Sequence, residues 1–288
     1  MNTLKYILLI TIFGVSQLQA QKSVEIINKE VSFKNTSAEN MFVARNITGS
    51  IKLEAYNGST IQIEIKKTIT ADSQADLEKG KKELKVKIVE EGKKIILHPD
   101  APYICFDKKY HGMNVNMGRH GNKVPYEFEL EYTIKVPKNI SIDVSTINDG
   151  DVAVSNVQAT IVKVGNINGS ISLNNIAGAT EAHTINGTID VTYAKNPVKK
   201  SSYSTINGDI TINYLKNLTA DVAFESMHGE LYTDFTVSDY ISNAEKSSGA
   251  KKRGVKYRYR SSPLVRIGSG GPRFDFKTLN GDVSIKKI

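Results

Sequence analysis

The sequence predicts an all-β fold, a parallel β-solenoid with Asn-Gly corners, on three observations. One phrase recurs, apolar-x-apolar-x-x-Ile-Asn-Gly-x-apolar-x-apolar, most clearly at residues 165–171, 184–189, 205–210 and 278–283. Copies aligned on the apolar residue before Asn-Gly fall at Ile47, Ile147, Ile167, Ile185, Ile206, Met227 and Leu279. The steps from Ile147 to Met227 are 20, 18, 21 and 21 residues, a period typical of stacked repeats. The flanks alternate with polar residues, as in Ile142/Val144 before a corner and Ile210/Ile212 after one, which is the period of half-buried strands.

An antiparallel sandwich or meander would also show alternation with Asn-Gly turns. The solenoid is favoured because residue type, not only polarity, repeats at each position. Stacking would align Asn148, Asn168, Asn186, Asn207 and Asn280 in a corner ladder, with Gly169, Gly187, Gly208 and Gly281 supplying the positive φ of a tight corner. Met227-His228 replaces Ile-Asn in one copy, and Asp149 is an extra residue that bulges another. A second corner recurs at Ser155-Asn156-Val157 and at residues 174–178.

The chain in order supports one large domain behind a targeting segment. Lys5, the apolar run 6–15 and Leu18-Gln19-Ala20 have the pattern of a signal peptide over residues 1–20, with cleavage expected before Gln21. The apolar run is too short for a transmembrane helix and no later segment is long enough, so the expected location is exported: periplasm, cell surface or outside. Residues 21–288 read as a single solenoid domain with two departures. In 66–125, residues 71–83 suggest a short charged helix with Asp72 or Ser73 as N-cap, weakened by Gly80. Residues 84–89 and 94–97 suggest a hairpin, and 99–125 a long polar loop. In 237–272, the step from Met227 to Leu279 is 52 residues against a usual 21, so about 31 have been inserted. Cys105 is the only cysteine, which excludes an intrachain disulfide, and its apolar neighbours suggest a buried, inert thiol.

The registered Asn-Gly copies, an opening copy at residues 46–51 and the segment Gly268-Ser269-Gly270-Gly271-Pro272 before a final Asn-Gly-Asp-Val resemble secreted bacterial proteins of the adhesin type, whose domain is a domain of unknown function. The resemblance covers roughly residues 40–288. It implies the fold and an exported, non-enzymatic binding role, and it implies no catalytic residues.

Three groups stand out as candidate sites. Lys251, Lys252, Arg253, Lys256, Tyr257, Arg258, Tyr259 and Arg260 form a cationic strand with tyrosines, suited to anionic glycan or envelope polymer. The same pattern would also protect a sheet edge from aggregation. With Lys5 removed, the formal charge of +8 becomes +7. Nucleic acid is not an expected partner for an exported chain. The second group follows the corner glycines: Asp151, Ser170, Thr188, Asp209, Glu230 and Asp282. If successive copies stack, Asp209 and Glu230 become a neighbouring carboxylate pair at about 5 Å, able to bind a cation or to serve a polysaccharide-active enzyme. Corner residues capping backbone amides are the simpler alternative. The third group, His111, His120, His183 and His228, matches no zinc spacing. No nucleophile elbow, phosphate loop or dinucleotide fingerprint is present. The expectation is therefore no enzyme, no cofactor and no metal, with carbohydrate, an envelope polymer or an envelope protein as partner.

Overall fold

The computed structural model of the chain describes residues 20–107, 112–115, 124–242 and 263–288. In chain order the elements are β1 (Gln21–Val31), β2 (Met41–Arg45), β3 (Ile51–Tyr56), β4 (Ile61–Ala71), α1 (Gln74–Glu83), β5 (Lys85–Glu91), β6 (Lys94–Asp100), β7 (Ile104–Asp107), β8 (Gly112–Val115), β9 (Tyr126–Pro137), β10 (Ser141–Ser145) and β11 (Val152–Ser155). There follow β12 (Gln158–Gly165), β13 (Ile171–His183), β14 (Ile189–Tyr193), β15 (Ser201–Ser204), β16 (Ile210–Tyr214), β17 (Ala220–Glu225), β18 (Leu231–Thr233), β19 (Val237–Ser242), β20 (Pro263–Ile267), β21 (Arg273–Lys277) and β22 (Val283–Lys287).

Each copy of the repeated phrase makes one coil: a strand, the Asn-Gly corner, and a second strand on the opposite sheet. The strands after the corners stack in parallel as β3, β11, the first half of β13, β14 and β16. Those before the corners stack as β2, β10, β12, the second half of β13 and β15. The alternating apolar residues face inward between the two sheets. Ile51, Val152, Ile171, Ile189, Ile210 and Val283 form one fully buried column, and Phe42, Ile142, Val162 and Phe274 line the facing sheet. This stacking burial is what each coil cannot achieve alone.

The order of coils in space is not their order in the chain. The last coil, β21–β22, is inserted between β15–β16 and β17–β18: β22 pairs with both β16 and β18, and β21 with both β15 and β17. The chain reaches this slot by passing outward after β18 through the β19–β20 hairpin. There β20 lies antiparallel on the outer side of β17, and residues 268–272 cross back beside Leu218 and Thr219. Arg266 is held against Asp221 at 2.8 Å in this crossing. Residues 243–262 of that insertion lie outside the described residues.

The opposite end is closed in a similar way. β6 adds in parallel to β2 and β9 in parallel to β3, so the first coil of the sequence is the second in space. The segment 66–125, expected as an excursion, contributes β5 and β6 to one sheet, and β4 continues to Ala71 rather than ending near residue 66, so its last residues belong to the other. Beyond β9 the packing becomes antiparallel, with β4 on β9 and β1 on β4, and β5 on β6. The helix begins with Ser73 as N-cap, its side chain accepting from the Asp76 amide. Gly80 is required rather than merely tolerated, because a Cβ there would stand 2.8 Å from the Tyr126 ring and from Ile69. Cys105, expected buried, is exposed: its apolar neighbour Ile104 points inward, and strand alternation turns the thiol out.

Candidate functional site

The corner explains why its residue types repeat. Just before the outward aliphatic residue stands a buried polar one, Thr146, Asn166, Thr184, Thr205 or Thr278. Its side chain donates to the carbonyl of the corner glycine one coil away. Thr184 reaches Gly169 at 2.9 Å, Thr205 reaches Gly187 at 3.0 Å, and Asn166 reaches Gly150 at 2.9 Å. Sequence reasoning passed over this threonine column, although Thr-Ile-Asn or Thr-Leu-Asn repeats visibly at 184, 205 and 278.

The glycine itself is demanded by approach, and at Gly187, Gly208 and Gly281 also by a positive φ, which Gly169 does not share. A Cβ on Gly187, Gly208 or Gly281 would lie 2.2, 2.1 or 2.0 Å from the carbonyl oxygen of the glycine on the neighbouring coil. The asparagines form the expected ladder, and their side-chain amides are joined at 2.8 Å from Asn148 through Asn168, Asn186 and Asn207 to Asn280. A second, shorter ladder joins Asn175 to Asn156 at 2.7 Å, both residues at positive φ.

The residues after the glycines face the same way and are occupied. The Asp151 carboxylate accepts from the Ser170 amide at 2.7 Å, Asp209 from the Asp282 amide at 2.8 Å, and Asp282 from the Glu230 amide at 2.9 Å. Asp209 and Glu230 are thus not neighbours. The inserted last coil places Asp282 between them, so the carboxylate pair expected at one strand spacing is two spacings apart. Each of these Asp carboxylates stabilises the next coil's backbone. At the end of the row Tyr232 donates to Glu230 at 2.7 Å, and that bond to a carboxylate holds the phenol above its usual range.

Beside the asparagine ladder runs a row of side chains that the fold leaves in water. Ile167, Ile185, Ile206, Leu279 and Met227 are 37, 38, 42, 40 and 70 % exposed. They occupy equivalent positions on adjacent coils, so they form a continuous aliphatic stripe with an amide stripe alongside. An exposed apolar strip of this continuity is unusual on a monomer surface. The strand spacing of about 4.8 Å sets its repeat. The ladder bonds leave each asparagine with donor and acceptor capacity to spare.

The other predicted groups do not join this corner. Lys251, Lys252, Arg253, Lys256, Tyr257, Arg258, Tyr259 and Arg260 lie outside the described residues, as do His111 and His120. His183 is exposed at the end of β13, with its ring packed over Gly165, and His228 sits at the mismatched corner. Among the described residues no group of three or more His, Cys, Asp or Glu is placed to hold a metal ion. Among them, too, no helix is long and apolar enough to cross a membrane.

Two sheets of stacked parallel coils, closed by Thr-Ile-Asn-Gly corners, define a β-solenoid repeat protein. Residues 133–286 match the Toastrack DUF4097 family model; this is more than half of the chain, and the chain belongs to that family. No curated protein matches it. Among solved structures it is similar to a candidate cell adhesion protein from Clostridium sporogenes, with 10 % identity, 94 % of this chain and 100 % of the other covered, and a TM-score of 0.39. It is also similar to a candidate adhesin from Bacteroides fragilis, with 11 % identity, 92 % and 97 % covered, and a TM-score of 0.35. A third similarity is to a candidate lipid binding protein from Parabacteroides distasonis, with 13 % identity, 92 % and 96 % covered, and a TM-score of 0.25.

Proposed function

We propose that the protein is a non-enzymatic, adhesin-type binding protein of the bacterial envelope, exported behind residues 1–20, whose contact face is the Ile-Asn corner. The observation that carries this reading is the aliphatic stripe from Ile167 to Met227, exposed along adjacent coils beside the asparagine ladder. An extended polymer lying along the corner meets the same pair of groups at every coil. Apolar ring faces pack on the aliphatic row, and hydroxyls exchange hydrogen bonds with the amides. The surface is held rigid by ladder bonds on both sides, so binding pays little ordering entropy. Carbohydrate or another envelope polymer with repeating units fits this chemistry.

The test is a glycan array and a pull-down with isolated envelope fractions, using the full chain purified after export. Ile185→Ser combined with Ile206→Ser should lower affinity about a hundredfold, the loss of a central hot spot, and a circular dichroism melt checks that the fold is kept. Equal binding by this variant would remove the corner from the interface. A variant with the cations at 251–260 neutralised, measured beside it, separates the corner from the basic insertion. Alanine at Asp209 and Glu230 should leave binding intact, with Asp209→Ala costing about 1 kcal/mol of stability through the lost amide cap. Hydrolysis of a bound polysaccharide that disappears with either substitution would instead make this an enzyme.

A further inference from the structure

The two ends of the solenoid are treated differently. At the C-terminal end, β20 and β19 cover the outer side of β17 on one sheet, and the other sheet stops at the three-residue β18. Covering and shortening are the usual protections of a sheet edge. At the other end the sheet that carries β18 finishes on β1. That strand is 11 residues long, contains no proline or glycine, and pairs only with β4 among the described residues. Its outer backbone groups form a straight template for another strand. On its outward face Val24 and Ile26 are 52 and 51 % exposed. On its inward side, Ile27, Val31, Ile65, Val86 and Ile88 line a groove between β1 and β5 that Lys29, Lys87 and Glu90 also border; its apolar part is core surface left without a further coil.

The order of side chains on β1 is complementary to itself. An antiparallel pairing of two β1 strands about a twofold axis normal to the sheet and passing through Ile26 sets Ile26 against its own copy. Val24 then faces Asn28 of the second copy, and Lys22 faces Glu30, on both sides of the axis. Glu25 remains with Lys67 of its own chain, to which it is already paired at 2.8 Å. Shifting the axis to Glu25 sets Lys22 against Asn28, and shifting it to Ile27 sets Glu30 against Val24, so either move breaks the Lys22–Glu30 pairs; the Ile27 register gains Glu25 opposite Lys29 instead, but that Glu25 is already held by Lys67. Opposite charges directly across strands favour pairing, and like charges oppose it.

We infer that β1 is a docking edge for a second copy of this chain, and that the solenoid forms an end-to-end dimer in which the sheet ending on β1 runs unbroken from one protomer into the other. Backbone hydrogen bonds supply the attachment, as in strand addition generally. The Lys22–Glu30 pairs set the register, and the apolar groove is carried into the interface. The consequence for the surface is a doubled rod with a contact corner on each half.

Sedimentation velocity on the full chain purified after export, over a concentration series, tests this. A reversible monomer–dimer equilibrium is expected. Lys22→Glu alone and Glu30→Lys alone each place like charges opposite at two symmetric positions and should weaken dimerisation about tenfold. The double variant Lys22→Glu/Glu30→Lys restores both pairs and should recover affinity to within about threefold of the parent. Both positions are exposed, so thermal midpoints taken at a concentration where the chain is monomeric should not move, and a circular dichroism melt checks this. A chain that stays monomeric throughout, a dimer indifferent to the single substitutions, or a double variant as weak as the singles would each overturn the proposal.

Discussion

Replacing Gly208 by alanine should destabilise the protein by about 3 kcal/mol, at the upper end of what overpacking costs. The added Cβ would stand 2.1 Å from the Gly187 carbonyl oxygen and 2.6 Å from its carbonyl carbon. Neither is the end of a flexible side chain. Relief would require the two coils to separate, and their separation is held by Thr205 on Gly187 and by the Asn186–Asn207 amide bond. The backbone adds its own objection, because φ at Gly208 is 150°, where side chains are rare. The check is urea denaturation followed by circular dichroism, beside Gly112→Ala as control. Among the described residues nothing lies within 4 Å of a Cβ at Gly112, so that variant should stay within about 0.5 kcal/mol of the parent. Equal stability of the two variants would mean that the coils are not stacked at this distance.

Alkaline unfolding should be unusually steep. Tyr132, Tyr193, Tyr203 and Tyr214 are fully buried, and burial pushes each phenol above its ordinary value. The last three share one core network, with Tyr203 hydrogen-bonded to Tyr193 and, at 3.2 Å, to Tyr214. Their rings stack on each other and on Phe274 and Phe276 at 4.9–5.5 Å. In the unfolded chain these phenols lose protons near pH 10, while the native state keeps them. The unfolded state then binds fewer protons, so stability falls as pH rises. The contribution is whole below about pH 10 and is lost above it, towards the raised native values. With four phenols the slope approaches about 5 kcal/mol per pH unit. Unfolding free energies at several pH values from 8 to 11.5 measure it, with absorbance at 295 nm reporting phenolate. Tyr203→Phe should lower the slope by about a quarter. It should also cost about 1–2 kcal/mol at neutral pH, because Tyr193 and Tyr214 lose their shared partner. Reversible ionisation of all tyrosines near pH 10 with the fold intact would refute the prediction.

Much of the solenoid is readable from residues alone, because its interactions are local in the repeat. Alternation places Ile171/Leu173 and Ile210/Ile212 inward. Asn-Gly marks the corner, and equal spacing aligns Asn168, Asn186 and Asn207 on successive coils. The same reasoning missed the threonine column, since a polar residue at a corner reads as solvent-facing until the neighbouring glycine carbonyl is seen above it. Cys105 failed for a related reason: an apolar run says that a segment contacts the core, and only the pleat says which of its residues does. The aliphatic stripe stands at the repeat's most regular position, yet nothing in the pattern separates Ile185, which faces water, from Ile189, which is buried.

By itself the sequence determined the coil: its length, its two strands, its corner chemistry and the family to which it belongs. The order in which coils stack was decided only in three dimensions. Corners built alike present alike surfaces, so the coil ending at Tyr214 can accept either the next copy in the chain or the last one. The last copy carries Asn280, which extends the amide ladder from Asn207 at 2.8 Å, and Phe274 and Phe276, which stack on Tyr214 and Tyr203. The copy next in sequence offers Met227-His228 and cannot continue the ladder. Placing the matched coil inside and the mismatched one at the end keeps the row of asparagines unbroken. The same exchange separates Asp209 from Glu230, turning a carboxylate pair suggested by the sequence into a row of caps on the neighbouring backbone.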